Sequence, residues 1–246
     1  MLRFIIPAYN EQDRIGPTLA ALRSSFGDAE VIVIFDGDDG TPEVVRRFEG
    51  VRLLRYRSRL GKGGAVKEGI RLLEDGDRAV LLDADLPVGI GAIRLAVEAL
   101  EAYDIVIPVR IYDRRPRGRY FLHNAFNSTA KLFFPALREF PDWQGGFKAF
   151  RAEAAKALLD QLVLNDFIFD TNFLVSSLRM GLRILAMPVA WRHVEQGSKV
   201  SGKVMKVTLM DFLSLVKLRA YYSPFRAILG TRAFQGAQST ILRALR

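Results

Sequence analysis

Ala79-Val80-Leu81-Leu82-Asp83-Ala84-Asp85 is an apolar run that ends in two carboxylates separated by one small residue. Such a run, bounded by turn signals, fits a strand buried within a parallel sheet. In open α/β sheets, ligands bind outside the carboxyl ends of strands of this kind. Asp83 and Asp85 therefore stand where a ligand is expected. Two hard oxygen donors at that edge suit Mg2+ or Mn2+, which binds through one or two carboxylates and the phosphates of a substrate. Asp-X-Asp after a strand is also an ordinary loop sequence, so its meaning depends on the rest of the chain.

On both sides of this run, strand and helix patterns alternate. Strands are predicted at Phe4–Ile6, Val31–Phe35, Val51–Arg55, Ala79–Leu82 and Ile105–Pro108. Helices are predicted near Arg14–Ser25, Pro42–Phe48, Gly63–Leu73 and Ile90–Leu100. This alternation implies βαβ units and an α/β fold with a mostly parallel, Rossmann-like sheet flanked by helices. Thr41 before Pro42 reads as an N-cap with proline at the first helical position. The alternation breaks at about Tyr112–Pro141, which opens on Arg114, Arg115, Arg117 and Arg119 and continues as a helix around Leu122–Phe134. A strand near Lys148–Phe150, a helix from about Ala152 to Gln161 and a strand at Ile184–Val189 follow. Lys203–Tyr222 reads as a helix with a narrow polar stripe (Lys203, Lys206, Asp211, Ser214, Lys217, Tyr221) and a broad apolar face. The expected organisation is one domain over 1–202 and an amphipathic helix with a basic tail over 203–246. That helix either lies on a membrane surface or packs on the core or on a second subunit.

The chain has 246 residues, half of them hydrophobic, enough for a large α/β core. It has no cysteine, which excludes disulfides and thiolate metal sites. The formal net charge of +9 favours an anionic partner such as phosphates or an acidic membrane surface. A nucleic-acid-binding protein is the third choice, because acidic residues at the strand edges would repel a phosphate backbone. No apolar stretch reaches the ~18 residues needed to span a bilayer. No secretory signal pattern is visible. The expectation is a soluble chain, or one lying on a membrane.

Other strand ends carry polar groups as well. Ile6-Pro7-Ala8-Tyr9-Asn10-Glu11 puts a tyrosine and a glutamate after the first strand, where they could stack on a base or bind a sugar hydroxyl. The second strand ends in Asp36-Gly37-Asp38-Asp39-Gly40-Thr41, whose glycines allow close backbone approach. Gly61-Lys62-Gly63-Gly64-Ala65 opens a helix, and glycines with a lysine at a helix N-terminus form an anion site. The spacing is not that of a Walker loop.

As an ordered set, these segments resemble the inverting glycosyltransferases of the GT-A fold. Asp142-Trp143-Gln144-Gly145-Gly146-Phe147-Lys148-Ala149-Phe150, Phe169-Asp170-Thr171-Asn172 and Gly197-Ser198-Lys199-Val200 are similar to the dolichyl-phosphate glucosyltransferase and mannosyltransferase branch, the glucosyl members most closely. The resemblance covers about residues 3–222. It implies that Pro7, Tyr9, Glu11 and Asp36 hold the base and ribose of a nucleotide, and that Lys62 lies near the nucleotide or its phosphates. Asp83, Ala84 and Asp85 would hold the donor, the aspartates through Mg2+ or Mn2+, with Asp85 the more direct ligand. Arg110 would meet the donor phosphate, and Gln144 and Lys148 would lie near the sugar and phosphates. Asp142 would act as a base or orient the sugar. Lys199, with Arg192 nearby, would meet the acceptor phosphate or the diphosphate.

The implied reaction moves a hexose, glucose before mannose, from UDP-glucose or GDP-mannose to a polyprenyl phosphate at the cytoplasmic face of a membrane. The arginine cluster would face that membrane or the acceptor. A soluble or glycan acceptor is the alternative, with the C-terminal helix then packing in a dimer. Two positions depart from the family pattern. Pro87 stands where the mannosyl members carry a metal-binding glutamine, and Asn172 stands where the glucosyl members usually carry an acid. His123 and His193 are the two histidines, and His193, beside Lys199, either touches phosphate or has a structural role.

Overall fold

A computed structural model describes residues 1–112, 117–191 and 204–231. The elements run β1 (Leu2–Ala8), α1 (Ile15–Ser25), β2 (Glu30–Phe35), α2 (Thr41–Val45), β3 (Val51–Arg55), α3 (Gly61–Arg71), β4 (Arg78–Leu81), α4 (Ile90–Ala99), β5 (Ile105–Tyr112), α5 (Arg117–Phe133), β6 (Lys148–Arg151), α6 (Ala152–Leu158), α7 (Phe169–Arg179), β7 (Ile184–Trp191) and α8 (Val204–Tyr221). They form two compact units, Met1–Arg115 with Glu139–Val194, and Pro116–Arg138 with Glu195–Arg246. Segment 116–138 groups with the C-terminal residues in the second unit.

The first unit holds a seven-stranded sheet in the order β3-β2-β1-β4-β6-β5-β7. Every neighbouring pair is parallel except those made by β6, which runs antiparallel between β4 and β5. Strand alternation sends Phe4, Ile6, Val31, Val33, Phe35, Val80 and Leu82 to one face, where they pack with Ile15, Leu19 and Leu22 of α1 and Ile93 and Ala96 of α4. The opposite face receives α3, whose Gly69 sits so close to Ile5 that a Cβ there would overlap the isoleucine side chain. The sheet is therefore covered on both sides, as its continuous apolar strands require.

α2 begins one residue earlier than its sequence cap suggests. Asp39 is the group that accepts the Thr41 N–H, at 3.0 Å, and the threonine hydroxyl, at 2.6 Å. An aspartate two residues upstream offers a better-placed oxygen than the threonine's own side chain.

α7 is not announced by any apolar stripe, because every residue from Phe169 to Ser177 is buried. A helix enclosed on all sides loses the 3.6-residue alternation that marks a half-exposed one. Its polar residues are satisfied internally. Thr171 Oγ1 accepts from Trp143 Nε1 at 3.0 Å. Asn172 accepts from the N–H groups of Val163 and Leu164 at 2.7 and 3.1 Å, and donates to Gln161 O and Ser176 Oγ at 2.9 and 3.0 Å. Asn172 thus fastens the loop before α7 and is fully buried. Replacing Asn172 with Ala strands these partners, each worth about 1–3 kcal/mol when buried and unmade. A loss of about 2–4 kcal/mol in unfolding free energy is expected, read from urea denaturation.

In the second unit α5 and α8 pack through ring contacts. Phe133 meets Phe212 at 6.2 Å between centroids, and Phe134 meets Tyr222 edge-on at 6.4 Å. Leu215 and Leu218 are fully buried, whereas Phe212 and Val216, one turn apart, remain 45% and 39% exposed. Among the described residues no helix is long and apolar enough to cross a membrane.

Candidate active site

The carboxyl ends of β1 and β2 carry two loops that are bonded to each other. Asn10 Nδ2 donates to Asp38 Oδ1 at 2.6 Å, and Asp38 N donates back to Asn10 Oδ1 at 2.9 Å. Glu11 N donates to Thr41 Oγ1 at 2.8 Å, and Gly40 N to Gln12 Oε1 at 2.9 Å. Asn10 adopts a left-handed φ of 56°, which asparagine tolerates better than most residues. Gly37 must lack a side chain, since a Cβ there would collide with Asn10. The paired loops give Tyr9 a fixed platform. The Arg59 guanidinium lies over its ring at 3.6 Å from the centroid, close enough for cation–π attraction.

Asp36 closes this corner. It is buried and accepts from Leu60 N at 2.8 Å and Gly61 N at 2.9 Å, and it pairs with Arg59. One carboxylate so anchors the loop that opens α3. Gly61 supports the same loop with a φ of 74°, and Gly63 N donates to Asn165 O at 3.0 Å.

Asp83 and Asp85 follow β4 in a turn in which Leu86 N donates to Asp83 O at 3.3 Å. Leu86 has a φ of 43°, a strained value for a leucine, so the surrounding packing holds this turn in place. Buried Thr18 donates to Ala84 O at 2.7 Å and ties the turn to α1. Burial raises the Asp85 pKa, and the charge of Asp83 raises it further, with Arg14 partly opposing both. Arg14 reaches Asp85 at 3.8 Å and also pairs with Glu11. Two crowded carboxylates of this kind fit a divalent cation, which relieves their repulsion. Among the described residues no cluster of three or more His, Cys, Asp or Glu side chains offers a complete cage. Donor phosphates and water would supply the remaining ligands, the usual habit of Mg2+.

Lys62 stands between acids. Its ammonium lies 3.4 Å from Asp83 Oδ1 and 3.3 Å from Asp170 Oδ2. Burial alone would lower the Lys62 pKa, but Asp170 and Asp83 outweigh it and hold the group protonated.

The stretch from Asp142 to Phe147 fills the gap between β4 and the far half of β5. Asp83 N donates to Gly146 O at 2.9 Å, extending the β4 pairing by one step. A Cβ at Gly146 would run into the Asp83 carboxylate, and one at Gly145 into Pro108 and Trp191. The two glycines are therefore the width of the slot. Asp142 takes two hydrogen bonds from the Arg110 guanidinium, Nε to Oδ2 at 2.6 Å and Nη2 to Oδ1 at 2.9 Å. Arg110 also lies 5.5 Å from the centre of the Trp191 ring.

Strand alternation decides the place of Lys148. Phe147 and Ala149 face the α1 and α4 layer, so Lys148 points into the α7 layer together with Phe150. Its ammonium donates to Gly145 O at 2.7 Å, Trp143 O at 3.3 Å and Asp170 Oδ1 at 2.6 Å. Lys148 is fully buried. These three protein acceptors make Lys148 the support under the glycine loop. Burial lowers its pKa, against the pull of Asp170.

Pro7, Tyr9, Glu11, Asp36, Lys62, Asp83, Ala84, Asp85, Arg110, Asp142 and Gln144 all lie in the first unit at or just beyond carboxyl ends of strands, or in loops that meet them. Lys199, Arg192, His193, Arg114 and Arg115 lie outside the described residues, as do the side chains of Arg117, Arg119 and His123. Sequence reasoning missed Arg14, Arg59, Asp170 and Trp191. Only Asp170 stood in a quoted motif, and nothing in one dimension pairs it with lysines 22 and 108 residues away.

Residues 4–159 match the model of Glycosyl transferase family 2. The chain belongs to this family and is a glycosyltransferase of the GT-A fold. It is 37% identical over 205 residues to glycosyltransferase AglD of Haloferax volcanii, an alignment that takes in 76% of this chain and 32% of AglD. The chain thus spans about a third of that relative's length. It is 30% identical over 241 residues to an undecaprenyl-phosphate mannosyltransferase of Micrococcus luteus, covering 92% and 98% of the two chains. To the dolichyl-phosphate beta-glucosyltransferase of Saccharomyces cerevisiae it is 22% identical over 251 residues, covering 88% and 74%. In three dimensions it resembles glucosyl-3-phosphoglycerate synthase from Mycobacterium tuberculosis, solved with Mn2+ and UDP-glucose, with a TM-score of 0.64 at 18% identity over 87% of this chain and 78% of the other.

Proposed function

We propose that this glycosyltransferase moves a hexose, glucose in preference to mannose, from a nucleotide diphosphate to a polyprenyl phosphate with inversion at the anomeric carbon. The observation that carries this reading is the state of Asp142. Its carboxylate is spent in a two-pronged pair with Arg110 and is almost entirely buried. A hydroxyl acceptor needs a positioned base. A phosphate monoester, with a second pKa near 6, is a nucleophile already. The relatives named for dolichyl and undecaprenyl phosphate support the same acceptor class.

In this scheme an acceptor phosphate oxygen forms a bond to C1 of the hexose while the bond from C1 to the β-phosphate oxygen breaks, and the diphosphate leaves with the electron pair. Tyr9 and Arg59 offer the stacking surface for the base, and Asp36 and Glu11 border it. Asp83 and Asp85 would hold Mg2+ or Mn2+, which when bound supplies Lewis-acid neutralisation of the leaving charge. Lys62 and Arg110 add fixed positive charge, and the glycine loop holds Gln144 beside them. Because no enzyme base is needed, kcat/KM for the acceptor should rise about tenfold per pH unit below about 6 and level off above it, following the acceptor's second ionisation. A plateau that starts well above pH 6 would point to a base on the protein.

We infer that the second unit rests peripherally on an anionic membrane surface, at the cytoplasmic side. Phe212 and Val216 keep an apolar surface on α8, and Lys203, Lys206 and Lys217 stand in the same segment. Each such lysine near an anionic surface is worth about 1 kcal/mol and is screened by salt, while apolar burial is not. High salt should release the protein from anionic vesicles only in part. Removal of the chain after Gly202 should release it fully, as read by vesicle flotation of the folded truncated protein.

The deciding experiment offers UDP- and GDP-linked sugars in turn with a polyprenyl phosphate and follows labelled sugar into the lipid phase. Label that stays in water, on a small phosphorylated acceptor, would favour the soluble-acceptor alternative.

A further inference from the structure

Four charged side chains form a chain of contacts through the floor of the site: Asp83, Lys62, Asp170, Lys148. Each end has a fixed job. Asp83 stands at the acidic turn, and Lys148 carries the glycine loop through Gly145 O and Trp143 O. The middle is divided almost evenly. The Lys62 ammonium is 3.4 Å from Asp83 and 3.3 Å from Asp170. Asp170 is 4% exposed and bonds Lys148 through one oxygen and Lys62 through the other. Asp83 is the exposed end of the chain, at 38%.

We propose that Lys62 is a resident cation that competes with the divalent metal for Asp83, and that Asp170 is the positioning residue that retains Lys62 when the metal takes Asp83. This rests on the reading of Asp83 as a metal ligand given above. The reasoning is electrostatic. A carboxylate cannot give its full charge to a metal while an ammonium rests on the same oxygen. If Lys62 had Asp83 as its one anion, metal binding would strand a buried ammonium, which is costly. Asp170, already fixed by Lys148, gives that ammonium a second anion close by. Lys62 then stays beside the acidic turn, where the donor's diphosphate is expected.

The test measures Mn2+ binding alone, with no nucleotide and no acceptor, by the loss of the free-Mn2+ paramagnetic signal. Lys62→Met should bind Mn2+ about tenfold more tightly, because a competitor and a like charge are removed. Asp170→Asn should bind it about tenfold more weakly, because Lys62 is left with Asp83 alone. Opposite signs from two neighbours in one contact chain are the signature, since damage to the fold would weaken both. If Asp170→Asn fails to fold, Asp170→Asn/Lys148→Met removes both partners of the buried pair and should show the same weakening. Unchanged or weaker Mn2+ binding by Lys62→Met overturns the proposal. Asp83→Asn separates the two levels. If it abolishes Mn2+ binding while Lys62→Met does not tighten it, the competition alone is wrong. If it leaves Mn2+ binding intact, the metal assignment falls and the competition with it.

Discussion

Asp85→Ala should abolish nearly all transfer while leaving the fold in place. The side chain lies in a loop turn, and its ion-pair partner Arg14 is 3.8 Å away and keeps Glu11 as a second partner. Little stability therefore depends on it. Removing it relieves the crowding with Asp83, so the melting temperature should stay level or rise slightly. Catalysis should move the other way. Loss of one fixed group that stabilises charge in the transition state typically costs about 10²–10³ in kcat. Here a fall of about 10³ in kcat/KM for the nucleotide sugar is expected, with Mn2+ binding weakened in the same protein. Near-normal turnover of Asp85→Ala in saturating Mg2+ or Mn2+ would remove this carboxylate from the metal assignment.

Gly146→Ala should be nearly as damaging, for a purely geometric reason. The new methyl group would occupy the volume of the Asp83 carboxylate, while the Gly146 carbonyl is held by Asp83 N at 2.9 Å. Either the carboxylate leaves its place or the loop withdraws and breaks that bond. Either outcome breaks the contact by which the glycine loop places the Asp83 carboxylate. Transfer should fall by about 10² or more, by the same loss of fixed charge, and Mn2+ affinity should fall with it. Gly89→Ala is the control, because nothing lies within 4 Å of the added atom there. Equal activity of the two alanine variants would show that the slot between Asp83 and Pro108 is wider than the structure describes.

The strand and helix order of the first half was legible element by element, since each element there has one apolar face or a fully apolar run. The antiparallel strand β6 was legible as a strand, but its place between β4 and β5 was not. That insertion creates the site, because β6 is only four residues long and leaves β5 unpaired on that side beyond Val106. The loop from Asp142 to Phe147 fills the space so left. The Asp142-Trp143-Gln144-Gly145-Gly146 segment was singled out by resemblance, without any indication that its glycines are squeezed between Asp83 and Trp191.

Single-residue roles divide along the same line. The positions of Asp83, Asp85 and Tyr9 at strand ends follow from local pattern, because strand period and turn chemistry act over a few residues. Lys148 stood in a quoted segment, but its burial under the glycine loop was not legible, since its direction is set by which face of β6 it occupies. Asn172 was read as a missing acid and proved to be the fastening of a loop. Sequence by itself determined the elements of the first half, the parallel architecture and the acidic turn, all of which depend on short-range periodicity and apolar runs. Only the tertiary structure decided which charges meet: Arg110 with Asp142, Arg59 with Asp36, and Asp170 with both lysines. Those pairings join residues tens to more than a hundred positions apart, and burial in a low-dielectric interior, which leaves no charge without a partner, selects them once the chain has closed.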